Sequence, residues 1–163
     1  MLPAMLIRYF TDLPCSVAEA ERALLASPET WVPHVARDAD LGARALLANV
    51  GIGPAGVRIE KRVMVEVGEP FRLSSKTLVP LSWHAAGPEG FFPVLEGHLE
   101  ICLLGQRRTQ LVLSASYKPP FGPIGAALDR AFLHRVAEST IKHFVDGLAE
   151  RIVRESKRQM ALA

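Results

Sequence analysis

Five histidines, His34, His84, His98, His134 and His143, and two cysteines, Cys15 and Cys102, are the side chains best suited to proton transfer, metal ligation or nucleophilic attack. Their spacing argues against all three. No histidine pair stands in an HxxxH or HExxH arrangement, and neither cysteine belongs to a CxxC or Cys/His pattern, so no metal site and no cofactor are expected. His98 alternates with Glu96 and Glu100, and on a strand these three share one face, which suits a solvated surface with cross-strand pairing. His134 borders the apolar stripe of a helix, where packing or capping is the expected role. Ser114 and Ser116 lack the GxSxG setting of a nucleophile elbow. Residues 51–56, Gly-Ile-Gly-Pro-Ala-Gly, imitate a phosphate loop but precede a strand, and Pro54 removes an amide, so they are expected to connect elements and to gate a cavity. The cations Arg151, Arg154, Lys157 and Arg158 alternate with Glu150 and Glu155, as at a solvated helix end.

The elements that would position such groups are legible from periodicity. Residues 5–10 form an apolar run that reads as a strand, with a turn at residues 12–14. Ser16 followed by Glu19 is a capping box in sequence, and residues 17–26 continue it as a helix until Ser27-Pro28. Residues 28–35, with Trp31 and Pro33, read as a turn. Residues 40–49 read as a further helix capped by Asp40.

From residue 57 the period changes to two. Val57, Ile59, Val63, Val65 and Val67 share a face, and residues 71–85 repeat the pattern with Leu73, Val79, Leu81 and Trp83, although Pro80 implies an edge, bulge or break. Residues 94–104 place Leu95, Leu99, Ile101 and Leu103 on one face. Residues 105–108 supply a turn, after which Leu111, Leu113, Ala115 and Tyr117 form the inner set of residues 109–118. Short connections without intervening helices require an antiparallel meander with one wet face. The other face needs a cover. Residues 124–155 provide one as a long helix, with apolar rows through Leu128, Phe132, Val136, Thr140, Phe144, Leu148 and Ile152, and through Leu133, Ala137, Ile141, Val145, Ala149 and Val153. A spacing of four overshoots the helical turn by about 40° per step, so the stripe winds, and a curved sheet would accept it where a flat one would not.

The chain has 163 residues with a net charge of +2 and 49% hydrophobic residues. One domain spanning residues 1–163 is expected, able to bury roughly 70% of its unfolded surface without staples. The small charge gives no ground for a nucleic-acid partner. No run reaches the roughly 18 apolar residues of a membrane span, and residues 1–10 lack the features of a secretory signal. Two cysteines suit a reducing compartment, so a cytoplasmic protein is expected.

Strand, helices, antiparallel sheet and one long C-terminal helix, in that order, resemble the helix-grip fold of the START-like superfamily, specifically bacterial polyketide cyclase-like members. The residues carrying the resemblance are Leu78-Val79-Pro80-Leu81-Ser82-Trp83, Phe91-Phe92-Pro93-Val94-Leu95-Glu96-Gly97 with Leu99-Glu100, Arg108-Thr109-Gln110-Leu111, Tyr117-Lys118-Pro119-Pro120-Phe121-Gly122 and His134-Arg135-Val136-Ala137-Glu138-Ser139-Thr140. The resemblance implies an α+β fold in which a curved antiparallel sheet wraps the last helix around a cavity for a hydrophobic ligand such as a lipid, polyketide or quinone-like compound. Lys61, Ser75, Thr77 and Tyr117 place polar atoms on the inner face, as a small-molecule site requires. The expected lining is Trp83, Leu99, Ile101, Leu113, Tyr117, Val136, Thr140 and Phe144, around a volume on the order of 300 Å³ or more. Non-catalytic binding is the first expectation. The alternatives are a cyclase or aromatase using Tyr117 or a histidine, and a protein-interaction domain or homodimer.

Overall fold

The computed structural model describes residues 4–48, 63–85, 94–118 and 130–163. Strand β1 (Met5–Leu13) buries Met5, Ile7 and Leu13 and turns Leu6, Arg8 and Phe10 outward. It continues through the expected turn because it stays in register with its partner strand as far as Leu13↔Thr109. Helix α1 (Val17–Leu25) starts where the capping box places it. The Glu19 amide donates to Ser16 Oγ at 3.2 Å, and the Ser16 amide donates to the Glu19 carboxylate at 2.7 Å.

The turn and separate helix expected between residues 28 and 49 are instead one helix, α2 (Pro28–Ala48). Pro28 opens it at the first helical position, where its missing N–H has no partner to lose, whereas Pro33 stands inside and removes the bond back to the Glu29 carbonyl. Trp31, Val32, Ala36 and Ala39 supply a buried face on both sides of Pro33, which outweighs the interruption. Asp40 is therefore not a cap but a buried residue inside the helix.

The remaining strands are β2 (Val63–Val67), β3 (Phe71–Arg72), β4 (Lys76–Ala85), β5 (Val94–Gly105) and β6 (Arg108–Lys118). They form one antiparallel sheet in the order β1-β6-β5-β4-β2, with β3 also beside β4. Pro80 does not break β4. The Gly68 amide donates to the Pro80 carbonyl at 2.9 Å, so the face of Pro80 that lacks a donor points to the gap between β2, which ends opposite Leu81, and β3, which begins opposite Leu78.

Two positions assigned to the inner face are exposed. Leu73 follows the end of β3 in a turn closed by its own amide donating to the Lys76 carbonyl, and Leu103 sits at a register irregularity before the β5–β6 hairpin. Ser75 is likewise exposed, in the turn before β4. Lys61, the expected strand positions 57–62, the glycine-rich stretch 51–56 and the expected helix start at 124–129 lie outside the described residues.

Helix α3 (Arg130–Ala161) crosses the concave face and runs six residues beyond the expected end. Leu133, Val136, Ala137, Thr140, Ile141, Phe144, Val145, Leu148, Ala149 and Ile152 are all buried, so both predicted rows face the core. His134, by contrast, is on the outer side and pairs with Glu138 at 3.2 Å instead of packing. The chain is an α+β helix-grip domain, a curved antiparallel sheet holding one long C-terminal helix.

Candidate functional site

Antiparallel register arranges the concave face in rows that cross the sheet. Val65, Trp83, Leu95, Tyr117 and Met5 form one row, Leu81, Gly97, Ala115 and Ile7 the next, then Val79, Leu99, Leu113 and Tyr9, then Thr77, Ile101, Leu111 and Thr11. On α3, Val136, Thr140 and Phe144 are buried, and Phe144 meets the first of these rows at Trp83. All eight expected lining residues, Trp83, Leu99, Ile101, Leu113, Tyr117, Val136, Thr140 and Phe144, are buried, the five strand residues of this set on the concave rows. Three of them form an aromatic contact. The Trp83 ring meets Phe144 edge to face at 4.8 Å between centroids and Tyr117 likewise at 6.4 Å.

The buried threonines around this interior are each satisfied. Thr140 donates back to the Val136 carbonyl at 2.8 Å, Thr109 to the Cys15 carbonyl at 2.8 Å, and Thr77 to the Glu21 carboxylate. Trp83 Nε1–H is different. It is buried and has no hydrogen-bond partner among the described residues, and leaving such a donor unmade costs about 1–3 kcal/mol.

Two clefts among the described residues lie along the seam between β1 and α3, and none of the eight expected lining residues is in their walls. One, of about 590 Å³, is lined by Ala4, Met5, Leu6, Arg130, Ala131 and His134. Met5 is in the same sheet row as Tyr117 and Trp83. The other, of about 550 Å³, involves Leu13, Pro14, Ala149, Val153, Arg154 and Lys157 among its walls. Between them Tyr9 closes the seam, its hydroxyl donating to Asp146 at 3.1 Å under the Lys142 ammonium. No local pattern announces either cleft, because each joins residues more than a hundred positions apart.

Sequence reading also missed a charge cluster on the convex face. Glu100, assigned to solvent, is buried, with Lys76 Nζ at 2.9 Å, His98 Nε2 at 3.3 Å, Arg8 at 3.8 Å and the Cys102 thiol donating at 3.8 Å. Burial pushes its carboxyl up, but the Lys76 hydrogen bond and charge, the His98 hydrogen bond and the Arg8 charge together hold it below the ordinary value of 4.5. The same surroundings work against the thiol, since burial and the Glu100 charge push Cys102 up and keep it a poor nucleophile.

A group with a depressed folded value stabilises the fold above its unfolded value and loses that contribution as pH falls through the folded one. Glu100 should therefore contribute to an acid limb of unfolding below about pH 4, together with Asp12 and Glu19, whose carboxyls are also held low. Urea midpoints measured from neutral pH downward should fall less steeply for Glu100→Gln than for the native chain. Parallel profiles would remove Glu100 from the account.

Among the described residues no group of three or more His, Cys, Asp or Glu side chains could hold a metal ion, and no helix is long and apolar enough to cross a membrane. No family model and no curated protein matches the sequence. Solved structures do match. A conserved protein from Geobacillus kaustophilus superposes with a TM-score of 0.54 at 17% identity, covering 92% of this chain and 96% of that one. A protein from Thermus thermophilus gives 0.49 at 17% identity, over 92% and 98% of the two chains. An aromatase/cyclase from a Streptomyces species gives 0.46 at 12% identity over 96% of each. At such identities the first of these likenesses speaks for the fold alone.

Proposed function

We propose that this chain, as a single domain of residues 1–163, binds a hydrophobic small molecule between the concave sheet and α3 without catalysing its conversion. Trp83, Leu99, Ile101, Leu113, Tyr117, Val136, Thr140 and Phe144 line the site. One observation carries the reading, the buried indole N–H of Trp83, which has no partner among the described residues while the buried threonines there are all satisfied. A ligand bearing a carbonyl or ether oxygen would meet that donor, with the aromatic contacts of Phe144 and Tyr117 holding the ring in place. The cleft at Met5, Arg130 and His134 is the mouth in this reading, since Met5 stands at the end of the Trp83 row. The free thiols of Cys15 and Cys102 suit a cytoplasmic setting. Self-association is a separate property and does not depend on this site.

The two tryptophans allow a direct test. In a Trp31→Phe background, Trp83 is the only indole, and its emission should change saturably on titration with fluorenone. Adding Trp83→Phe, with binding followed by calorimetry, should weaken fluorenone by about two- to tenfold, the worth of one neutral hydrogen bond, and leave fluorene, which lacks the carbonyl, unchanged. If neither compound perturbs Trp83 and native mass spectrometry of the purified chain finds no retained molecule, the binding reading fails.

A further inference from the structure

We propose that β1 is a dimer interface, on which two copies of this chain pair their β1 strands antiparallel about a twofold axis through Phe10. Among the described residues β1 ends the sheet, with β6 on one side and no strand on the other. It is nine residues long, and its register with β6 is unbroken, so no bulge turns it away from a partner. On its convex side Leu6 is 85% and Phe10 59% exposed. A long, regular, apolar edge is a template for a further strand.

The strand itself specifies the occupant. With Phe10 on the axis, Arg8 of each copy stands opposite Asp12 of the other, Phe10 meets its own counterpart, and Leu6 stands opposite Pro14. Two ion pairs then bracket an aromatic pair on one face of the joined sheets, each a favourable cross-strand combination. Moving the axis to Arg8 sets Arg8 against its own copy, moving it to Asp12 sets two carboxylates together, and moving it to Tyr9 or Thr11 leaves both charges opposite uncharged residues, so the Phe10 axis is the one that pairs them. Arg8 and Asp12 keep exposed side chains while they touch Glu100 and Arg108 within their own chain, so both remain available across an interface. On the concave side the same axis places Tyr9 opposite Thr11.

Sedimentation of the full chain from low to high micromolar concentration should show a mass of two copies. Phe10→Lys and Arg8→Asp should each halve that mass with the circular dichroism spectrum unchanged, and the exchange Arg8→Asp with Asp12→Arg should restore it. A native chain that stays monomeric throughout the range overturns the proposal, as does a dimer indifferent to Phe10→Lys. If Phe10→Lys does not fold, Arg8→Asp and its restoring exchange decide the question.

Discussion

Gly97→Ala should destabilise the chain by about 3 kcal/mol or more, although it adds a single methyl group. Gly97 lies on the concave side of β5, between Leu81 of β4 and Ala115 of β6. A Cβ there would come within 2.2 Å of the Ser114 carbonyl oxygen, 2.6 Å of Ala115 Cα and 2.7 Å of Ala115 Cβ. Two of these three atoms are backbone, so no rotamer change relieves the overlap, and β5 must separate from β6 at the point where both curve over α3. Overpacking usually costs about 1–3 kcal/mol, and a backbone clash at a sheet centre belongs at or above the top of that range. Gly42 of α2 is the matched control. A Cβ there meets nothing within 4 Å, so Gly42→Ala should gain about 0.5–1 kcal/mol from helix propensity. Denaturant melts of the two variants should therefore move in opposite directions. Equal stabilities for Gly97→Ala and the native chain would show that the strands are further apart than described.

Phe144→Ala is the second large loss, about 3–5 kcal/mol. Phe144 is fully buried at the middle of α3 and meets Trp83 edge to face. Truncation removes that contact and leaves a void between two rigid layers, a row of strands and a helix pinned along both of its apolar rows. Neither layer can collapse without disturbing the other, which is the condition for the high end of the range. Domains of this kind are stable by about 5–15 kcal/mol, so the variant should melt far below the native chain in calorimetry. A loss under about 1 kcal/mol would mean that the ring is not clamped between sheet and helix.

These expectations show which parts of the molecule are written locally. Strand faces follow from alternation, and Leu95, Leu99, Leu111, Leu113 and Tyr117 are buried as their parity requires. The Ser16–Glu19 capping box is a short-range device and is present atom for atom. Both rows of α3 follow from one period. Failures occur where a distant contact overrules a local signal. Pro33 reads as a stop, yet the buried face through Trp31 and Ala36 carries α2 across it. Glu100 reads as solvated, yet Lys76 and Arg8, brought in from β4 and β1, let it be buried. Trp83 is legible as an apolar wall, but the lack of a partner for its N–H among the described residues is not, because it depends on every neighbour the fold brings to the ring.

The pairing of β1 with β6 also bears on how the chain is made. Met5 finds its partner at Tyr117, roughly a hundred residues later. At a synthesis rate of about 5–20 residues per second, the first strand waits on the order of 5–20 seconds before the strand that pairs with it has been made. Throughout that interval Met5, Ile7, Tyr9 and Phe10 are an unpaired apolar segment near the ribosome surface. Delay in this chain is built into topology rather than into any slow local step, and it should make the nascent protein a client of holding chaperones until β6 emerges.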